Sequence, residues 1–300
     1  MRVSVVIPAK NAAAHIREAV ESVLAQGSDV VELIVVDDGS TDETNAIVKS
    51  YGNNRIRLVS NDSAGVSTAR NLGARMAQGN WLMFLDADDR LRRGAISTLL
   101  AAAKATPQAV LVYGDYDLID DAGRIIGRRG MLMGRRKPSG NVLERLAAGN
   151  FIVNGGVTVI RADAFKAAGG FDESLKYCED WHCWCRLAAV GEFQFIHALL
   201  LDYRLHGANT MNAAARSPED FFPAVDRVFG DALILGKLPL AARPRLRNAA
   251  EIHLLTYSAT QAIRFRRYGE AFSYLRMVGQ RSLLSIPRSA IRLGLSFAGI

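Results

Sequence analysis

Short apolar runs alternate with amphipathic segments along residues 1–120 of the chain. The apolar runs are VSVVI, VELIVV, IRLVS and WLMFL, and helical spacing is found between them, over residues 13–26, 42–51 and 66–77. Strands that alternate with helices in this way build a mostly parallel sheet with helices on both faces. The pattern therefore predicts an α/β fold.

After residue 109 the pattern predicts strands with fewer helices between them. VLVYGDYDLI and GRII predict two strands around the turn DDAG, and GGVTVI, FQFI and LLLDYRL predict further strands. Helices are predicted at ADAFKAAG and over residues 180–190. From Gly207 to the end the pattern is helical, with a break at Pro287.

These elements predict two parts of the chain. Residues 1–210 form an α/β domain with halves over 1–120 and 121–210, and residues 211–300 form a helical C-terminal extension. The chain is 49% hydrophobic and 22% charged, which is a globular composition. The basic loop over residues 128–142 has no predicted strand or helix.

Positive charge is concentrated at the C-terminal end. The whole chain has a net charge of +7, and residues 241–300 contain ten Arg against only Glu251 and Glu270. Such a segment suits an anionic surface, either nucleic acid or the cytoplasmic leaflet of a membrane. No recognition motif for nucleic acid accompanies the arginines, so we expect no nucleic-acid partner.

The sequence predicts a cytoplasmic location. No stretch reaches the roughly 20 apolar residues of a membrane span. Cys178, Cys183 and Cys185 form one cluster with an odd count, a poor basis for disulfides. The run RSLLSIPRSAIRLGLSFAGI, residues 281–300, mixes Arg with apolar residues and fits either a helix on the inner membrane face or a terminal subdomain with a solvated arginine face.

The stretch NWLMFLDADDRL, residues 80–91, passes from five apolar residues into Asp86, Asp88 and Asp89. On an extended chain, Asp86 and Asp88 would project to the same side. Carboxylates at this spacing suit Mg²⁺ or Mn²⁺, which complete their shells with water and substrate phosphates. A solvated, Asp-rich turn explains these residues equally well at this point.

Further polar groups, PAKN and DDGSTD, follow the first two predicted strands, at the edge where parallel sheets bind ligands. The ordered set PAKN, VVDDGSTD, AGVSTARNLGARMAQGNWLMFLDADD, GGFDESLKYCEDW and DYRLHGANT resembles the family 2 glycosyltransferases, inverting enzymes with the GT-A fold. The resemblance covers about residues 1–210. It implies a Rossmann-related mixed, mostly parallel sheet flanked by helices, with the nucleotide in the first half of the domain and the acceptor in the second.

The resemblance also implies a nucleotide-diphosphate-sugar donor, a divalent metal (Mg²⁺ or Mn²⁺), and a saccharide or lipid-linked saccharide acceptor, as in synthesis of bacterial surface polysaccharides or glycolipids. Carried over by position, it assigns nucleotide contacts to Pro8, Ala9, Asp38, Arg70, Asp86 and Ala87. Asp38 would bind the base and Asp86 the ribose. Asp88, in the DxD motif, would hold the metal, and His206 would join the metal or diphosphate site.

The catalytic base implied by the resemblance is Asp180, in the sequence CEDW. It would deprotonate the acceptor hydroxyl, with Glu179 and Trp181 supporting the base or contacting the acceptor. From the residues alone, the preferred interpretation of Asp180 is an N-cap or first-turn acid of a helix, and the other motifs shift the preference to catalysis. Cys178, His182 and Cys185 also suggest a zinc tripod, but buried thiols are the favoured interpretation because the paired spacing of zinc motifs is missing.

Two departures and two rival functions follow from the same motifs. Lys10 stands where relatives often have an aromatic residue, and His182 where an acid is frequent. These departures leave open how the base is stacked and how the acceptor is recognised.

A nucleotidyltransferase needs a glycine-rich, arginine-containing loop after the first strand, where this chain has PAKNAAAH. A non-catalytic sugar-nucleotide binding protein would have no use for Asp180.

Overall fold

A computed structural model describes residues 1–127, 137–152, 154–207 and 216–282. Most of the predicted loop over 128–142 and nearly all of the run over 281–300, including the predicted break at Pro287, lie outside the described residues.

One mixed sheet of nine strands is present in the described part of the chain, in the order β3-β2-β1-β4-β8-β6-β9-β5, with β7 paired to β6. Its strands are β1 (Val3–Ala9), β2 (Val30–Asp37), β3 (Ile56–Ser60), β4 (Trp81–Phe84), β5 (Arg90–Leu91), β6 (Ala109–Ile119), β7 (Ile125–Gly127), β8 (Thr158–Arg161) and β9 (Glu192–Arg204). The first four strands pair in parallel, and β6 also runs parallel to β9. This confirms the predicted mixed, mostly parallel sheet.

The central strands β1 and β2 are buried on both faces, which explains their unbroken apolar sequences. Their register pairs Ile7 with Val35 and Ala9 with Asp37, so both strands end at the same edge of the sheet. A side chain at Gly73 would collide with Val6 of β1, and glycine there lets the third helix lie directly against the sheet.

The helices are α1 (Ile16–Leu24), α2 (Thr44–Lys49), α3 (Val66–Met76), α4 (Ala95–Ala105), α5 (Leu143–Ala147), α6 (Ala162–Ala167), α7 (Glu179–Val190), α8 (Pro218–Val228), α9 (Ala232–Leu235), α10 (Arg243–Arg264) and α11 (Tyr268–Arg281). The sequence pattern indicated most of them and missed α4 and α5. None of the helices in the described ranges has the length and apolar character to cross a membrane.

Two details differ from expectation. FQFI and LLLDYRL were predicted as two strands but belong to one strand, β9. The pairing of β9 with β6 is irregular between Tyr113 and Tyr116, and this shift in register separates the two apolar runs. The short strand β5 pairs Arg90 with Asp202 of β9 and was not predicted. The hairpin of β6 and β7 is confirmed, since Gly123 N donates to Asp120 O at 3.0 Å across the predicted turn.

The chain divides into two compact units. The first comprises residues 1–142, 152–174 and 186–204, and holds the sheet. The second comprises residues 143–151, 175–185 and 205–300. The core of the second unit is built from large buried side chains, including Trp181, Trp184, Phe221, Leu255 and Val278. The predicted boundary at residue 210 stays a prediction.

Candidate functional site

Asp38 is held at the carboxyl edge of β1 and β2, in the first unit. Its backbone N donates to Ala9 O at 2.8 Å, and its side chain Oδ1 accepts from Asn61 Nδ2 at 2.6 Å and from Gly65 N at 2.9 Å. Lys10 Nζ lies 3.6 Å from Asp38 Oδ2. Asp38 is therefore fixed in orientation, with one oxygen facing an exposed lysine. Pro8 lies in β1 next to Ala9 and is half-buried.

Asp37, the other acid at this edge, closes the turn that leads into α2. Ser40 N donates to Asp37 Oδ1 at 3.0 Å and Asn45 Nδ2 to Asp37 Oδ2 at 2.8 Å. Burial alone would raise the pKa of Asp37, but the hydrogen bonds from Ser40 and Asn45 outweigh burial and lower it. The local structure thus accounts for Asp37, and leaves Asp38 as the acid with a candidate binding role.

Arg70 brings α3 to the acidic stretch after β4. Its Nη2 lies 2.8 Å from Asp86 Oδ1, and its guanidinium carbon lies 5.3 Å from the ring centroid of Phe171. The Arg70 side chain is 12% exposed and that of Asp86 is 35% exposed. Two predicted nucleotide residues are thus joined by an ion pair that remains open to solvent on the Asp86 side.

Residues 86–89 form a turn, and the expectation of an extended chain there is wrong. Strand β4 ends at Phe84, and Asp89 N donates to Asp86 O at 3.2 Å. Strand alternation therefore does not set the directions of Asp86 and Asp88. Ala87 is nearly buried, at 9% exposure, whereas Asp88 is half-buried and lies at the boundary between the core and solvent.

Asp89 is the buried acid of this turn. It is 0% exposed, and its Oδ2 accepts from Asn154 Nδ2 at 2.6 Å while its Oδ1 accepts from Arg204 N at 2.8 Å. Burial, together with the charges of Asp88 and Asp86, raises the pKa of Asp89 well above its usual range. Asp89 therefore anchors the turn to β9, and is not a surface ligand.

The fully buried Arg204 anchors the same turn from its other side. Its Nε donates to Asp88 O at 2.8 Å, and its Nη1 and Nη2 donate to Asp121 O at 2.7 Å and Glu18 Oε2 at 2.8 Å. Sequence reasoning did not assign a role to Arg204 or Asn154. The signal for Arg204 was a charged residue inside the apolar run LLLDYRL, which indicates a paired internal charge.

The donor set at this edge fits a hard divalent cation better than zinc. Asp86 and Asp88 supply carboxylate oxygens, and the described residues contain no cluster of three or more His, Cys, Asp or Glu side chains suited to hold a metal ion. Mg²⁺ is commonly bound through one or two carboxylates, with water and substrate phosphates as its other ligands. The residues present therefore fit a metal whose coordination is completed by a diphosphate.

Asp180 lies in the first turn of α7, within the second unit. Its Oδ2 accepts from Asn150 Nδ2 at 3.2 Å and its Oδ1 from Trp181 N at 2.7 Å. The preceding Cys178 has a φ of 59°, a left-handed conformation that turns the chain into the helix. Both Asp180 and the neighbouring Glu179 are half-buried, so each retains an accessible side.

Other residues of α7 belong to the core. Trp181 is 2% exposed and its indole N donates to Leu146 O at 2.7 Å. His182 is 1% exposed, with Nε2 lying 3.1 Å from Asp231 Oδ2. The proposed zinc tripod is not found among the described residues. Burial first, then the neighbouring Cys183, raises the pKa of the Cys185 thiol well above its usual range, as expected for a buried, inert thiol.

His206 lies at a cavity of about 360 Å³ in the second unit, which is shallow and widely open at the surface. The cavity is lined by Leu205, His206, Gly207, Gln261, Arg264 and Phe265. A predicted site residue is thus combined there with a cation, an amide and an aromatic ring from the end of α10, none of which the sequence motifs indicated.

Acids and an arginine thus lie together at the carboxyl edge of a mostly parallel sheet, which is where α/β proteins of this class bind their ligands. Residues 4–168, more than half of the chain, match the family described as glycosyl transferase family 2. The chain therefore belongs to this family and is a glycosyltransferase.

Two curated relatives support the same assignment. An uncharacterized glycosyltransferase of Rickettsia prowazekii is 32% identical over 222 residues, covering 73% of this chain and 69% of that protein. The chondroitin synthase of Escherichia coli is 30% identical over 210 residues, covering 69% of this chain and only 29% of that protein. The chain thus corresponds to less than a third of the chondroitin synthase.

Solved structures confirm the GT-A fold. S. aureus TarS in complex with UDP-GlcNAc superposes with a TM-score of 0.67 at 19% identity, covering 94% of this chain and 81% of that chain. The mannosyltransferase PcManGT of Pyrobaculum calidifontis, in complex with GDP-Man and Mn²⁺, gives a TM-score of 0.64 at 21% identity, with 99% and 79% covered. At these identities, the likeness establishes the architecture alone.

Proposed function

We propose that this glycosyltransferase transfers a sugar from a nucleotide-diphosphate-sugar to a hydroxyl acceptor with inversion of the anomeric configuration, and that it depends on Mg²⁺ or Mn²⁺. The observation that carries the proposal is the turn over residues 86–89, fixed by Asn154 and Arg204 and joined to Arg70 at the sheet edge. This turn holds the Asp86 carboxylate against Arg70 and fixes the backbone of Asp88, as a nucleotide and its metal would require.

The donor would lie along this edge in the first unit. Pro8 and Ala9 would form the surface beneath the nucleoside, with Asp38 accepting hydrogen bonds from the base. Arg70 would contact the nucleotide, and Asp86, with Ala87 beside it, the ribose. The Arg70–Asp86 ion pair supports this division, because a guanidinium 2.8 Å from Asp86 fixes the orientation of that carboxylate.

Asp88 would hold the divalent metal, and His206 would join the metal or the diphosphate. The bound metal would neutralise the negative charge that develops on the departing diphosphate. The contribution of the protein is to fix the backbone of Asp88 through Arg204, so that the carboxylate needs little reorganisation when the donor binds.

Asp180 would act as the base. As the acceptor oxygen attacks the anomeric carbon, the bond from that carbon to the diphosphate oxygen breaks and the hydroxyl proton passes to the Asp180 carboxylate. The hydrogen bond from Asn150 Nδ2 would hold that carboxylate in place. Glu179 would support the base or the acceptor. The indole of Trp181 is buried, so it would support the base indirectly, by fixing the position of helix α7.

The acceptor is proposed to be a saccharide or a lipid-linked saccharide, in the synthesis of a bacterial surface polysaccharide or glycolipid. The chondroitin synthase relative supports a saccharide acceptor. The alternatives are weaker. A nucleotidyltransferase would need a phosphate-gripping loop in place of PAKNAAAH, and a non-catalytic binding protein would not need Asp180. Cytoplasmic location with peripheral membrane attachment through residues 241–300 stays a prediction.

The proposal is tested by incubating the full chain and Mn²⁺ with UDP-, GDP- and dTDP-sugars and a panel of saccharide acceptors. We expect nucleotide release with one donor class, and product NMR should show the anomeric configuration opposite to that of the donor. Retention of configuration would exclude the single-base mechanism. Release of pyrophosphate with formation of a nucleotide-sugar would identify a nucleotidyltransferase instead.

A further inference from the structure

Exposed aromatic side chains are concentrated in one short segment of the second unit. The large apolar side chains that are exposed in the described residues include three aromatic ones. These are Phe265, Tyr268 and Phe272, at 38%, 59% and 71% exposure. All three lie within residues 265–272, in the turn after α10 and the first turns of α11. Rings left in water within one small area usually mark a contact with a partner.

Two of these rings share a side of helix α11 with a cation. Tyr268, Phe272 and Arg276 are spaced at i, i+4 and i+8 on α11, so they follow one another along one side of the helix. Ala271 and Val278 are buried, at 4% and 0% exposure, and form the packed side. Helix α11 therefore packs through small apolar residues and presents its aromatic side outward.

The same segment carries a strong excess of positive charge. Residues 264–276 contain four arginines and a single acid, Glu270. Arg267 pairs with Glu270 at 2.6 Å. Arg264, Arg266 and Arg276 are exposed, and no acid pairs with them in the part of the chain that the structure describes. Arginines interspersed with exposed aromatic rings are complementary to an anionic bilayer surface, where lipid phosphates take the charge and the interface takes the rings.

We propose that residues 264–276 form a docking surface for an anionic membrane. Phe265, Tyr268 and Phe272 enter the boundary between headgroups and acyl chains, while the arginines pair with lipid phosphates. These residues lie within the segment over 241–300 that the sequence predicts to meet an anionic surface, and they do not include the run over residues 281–300. Docking does not depend on the identity of the donor or the base.

Docking has a consequence for the cavity at His206. Arg264 and Phe265 belong both to the docking surface and to the wall of that cavity. Attachment through this surface places the cavity at headgroup level, where the saccharide of a lipid-linked acceptor would lie. This consequence, unlike docking itself, rests on the proposed function.

The test is co-sedimentation of the full chain with vesicles of phosphatidylcholine and phosphatidylglycerol in equal parts, and with phosphatidylcholine alone. The double variant Arg266→Glu/Arg276→Glu should bind anionic vesicles at least about 30-fold more weakly, because it removes two arginines that each contribute about 1 kcal/mol near a charged surface and adds two negative charges. Phe272→Ser should weaken binding about tenfold, through loss of buried apolar area. Neutral vesicles should retain little protein.

Matched controls use exposed residues elsewhere. Arg93→Glu/Arg145→Glu makes the same change in net charge, and Leu240→Ser removes an apolar side chain that is 75% exposed. Both should bind as the wild type does, and all variants should keep its melting temperature because the changed residues are exposed.

Three outcomes would overturn the proposal. Wild-type levels of vesicle binding by the docking-surface variants would place membrane contact elsewhere, such as in the run over 281–300. No binding of the wild type to anionic vesicles would remove the partner altogether. If Phe272→Ser binds vesicles normally but dissociates a dimer in light scattering, or melts earlier, then a second copy or the chain's own C-terminal segment covers this face.

Discussion

Replacing Arg204 with methionine tests how the acidic turn is held. The Arg204 side chain is 0% exposed. It donates to Asp88 O at 2.8 Å, to Asp121 O at 2.7 Å and to Glu18 Oε2 at 2.8 Å. Methionine has a similar length and no donor, so the two carbonyls would lose this partner while the shape of the core is largely kept.

The expected magnitude follows from these contacts. A buried acceptor deprived of its donor costs about 1–3 kcal/mol, whereas Glu18, 44% exposed, can be solvated instead. Asp121 is an exposed residue whose carbonyl can also be solvated, so we expect Arg204→Met to lower the free energy of unfolding by about 1–3 kcal/mol, chiefly through the Asp88 carbonyl. This is a large share of the roughly 5–15 kcal/mol that stabilises a typical native protein.

Urea unfolding followed by circular dichroism measures this loss. Arg124→Met is the control, because the Arg124 side chain is 81% exposed and pairs with Asp120 at the surface. Its loss should stay below about 1 kcal/mol. At a temperature where Arg204→Met is folded, metal-dependent nucleotide binding should be about 10–100-fold weaker. The anchoring role of Arg204 would be refuted if Arg204→Met had the same free energy of unfolding as Arg124→Met and bound nucleotide normally.

Other expectations concern single groups. Asp180→Asn should reduce transfer by about 10²–10⁴ while donor-nucleotide affinity is kept, and an equal loss in Glu179→Gln would contradict the choice of base. Asp37→Asn should lower the free energy of unfolding at pH 7 by about 1–2 kcal/mol. The Asp37 contribution is present above its ordinary pKa of 3.8 and is lost as pH falls through the lowered folded value, so urea midpoints of the two proteins should converge in acid. Cys183 and Cys185 should resist iodoacetamide in the native protein, as read by mass spectrometry, and rapid labelling would contradict their burial.

Much of the sheet could be predicted because its central strands are buried on both faces. Continuous β-branched runs that end in polar turn residues, as in β1 and β2, favour buried strands over helices. The acids at their ends were equally visible, and the order of the motifs identified the family. Local sequence could also predict the turn between β6 and β7, because Asp and Gly favour that geometry.

The parts that were missed depend on contacts far apart in the chain. Asn154 and Arg204 bind Asp89 across separations of 65 and 115 residues, so no local pattern connects them. Helix α4 has the sequence AISTLLAAAKA, and its mostly apolar residues, preceded by Gly94, give a weak amphipathic signal. Asp88 and Asp89 are adjacent and chemically identical, and only the tertiary fold makes one of them half-buried and the other a core anchor.

Calorimetric titration with UDP, GDP and dTDP, each with Mn²⁺ and with EDTA, tests the metal-dependent nucleotide site most directly. The wild type should bind one nucleotide with Mn²⁺ and lose that binding in EDTA. Asp88→Asn should bind at least about tenfold more weakly, whereas Asp226→Asn, at an acid 68% exposed in the second unit, should bind normally. A metal-diphosphate site at the turn over residues 86–89 would be contradicted if the wild type bound nucleotide equally well with Mn²⁺ and with EDTA, and if Asp88→Asn bound it as tightly as the wild type.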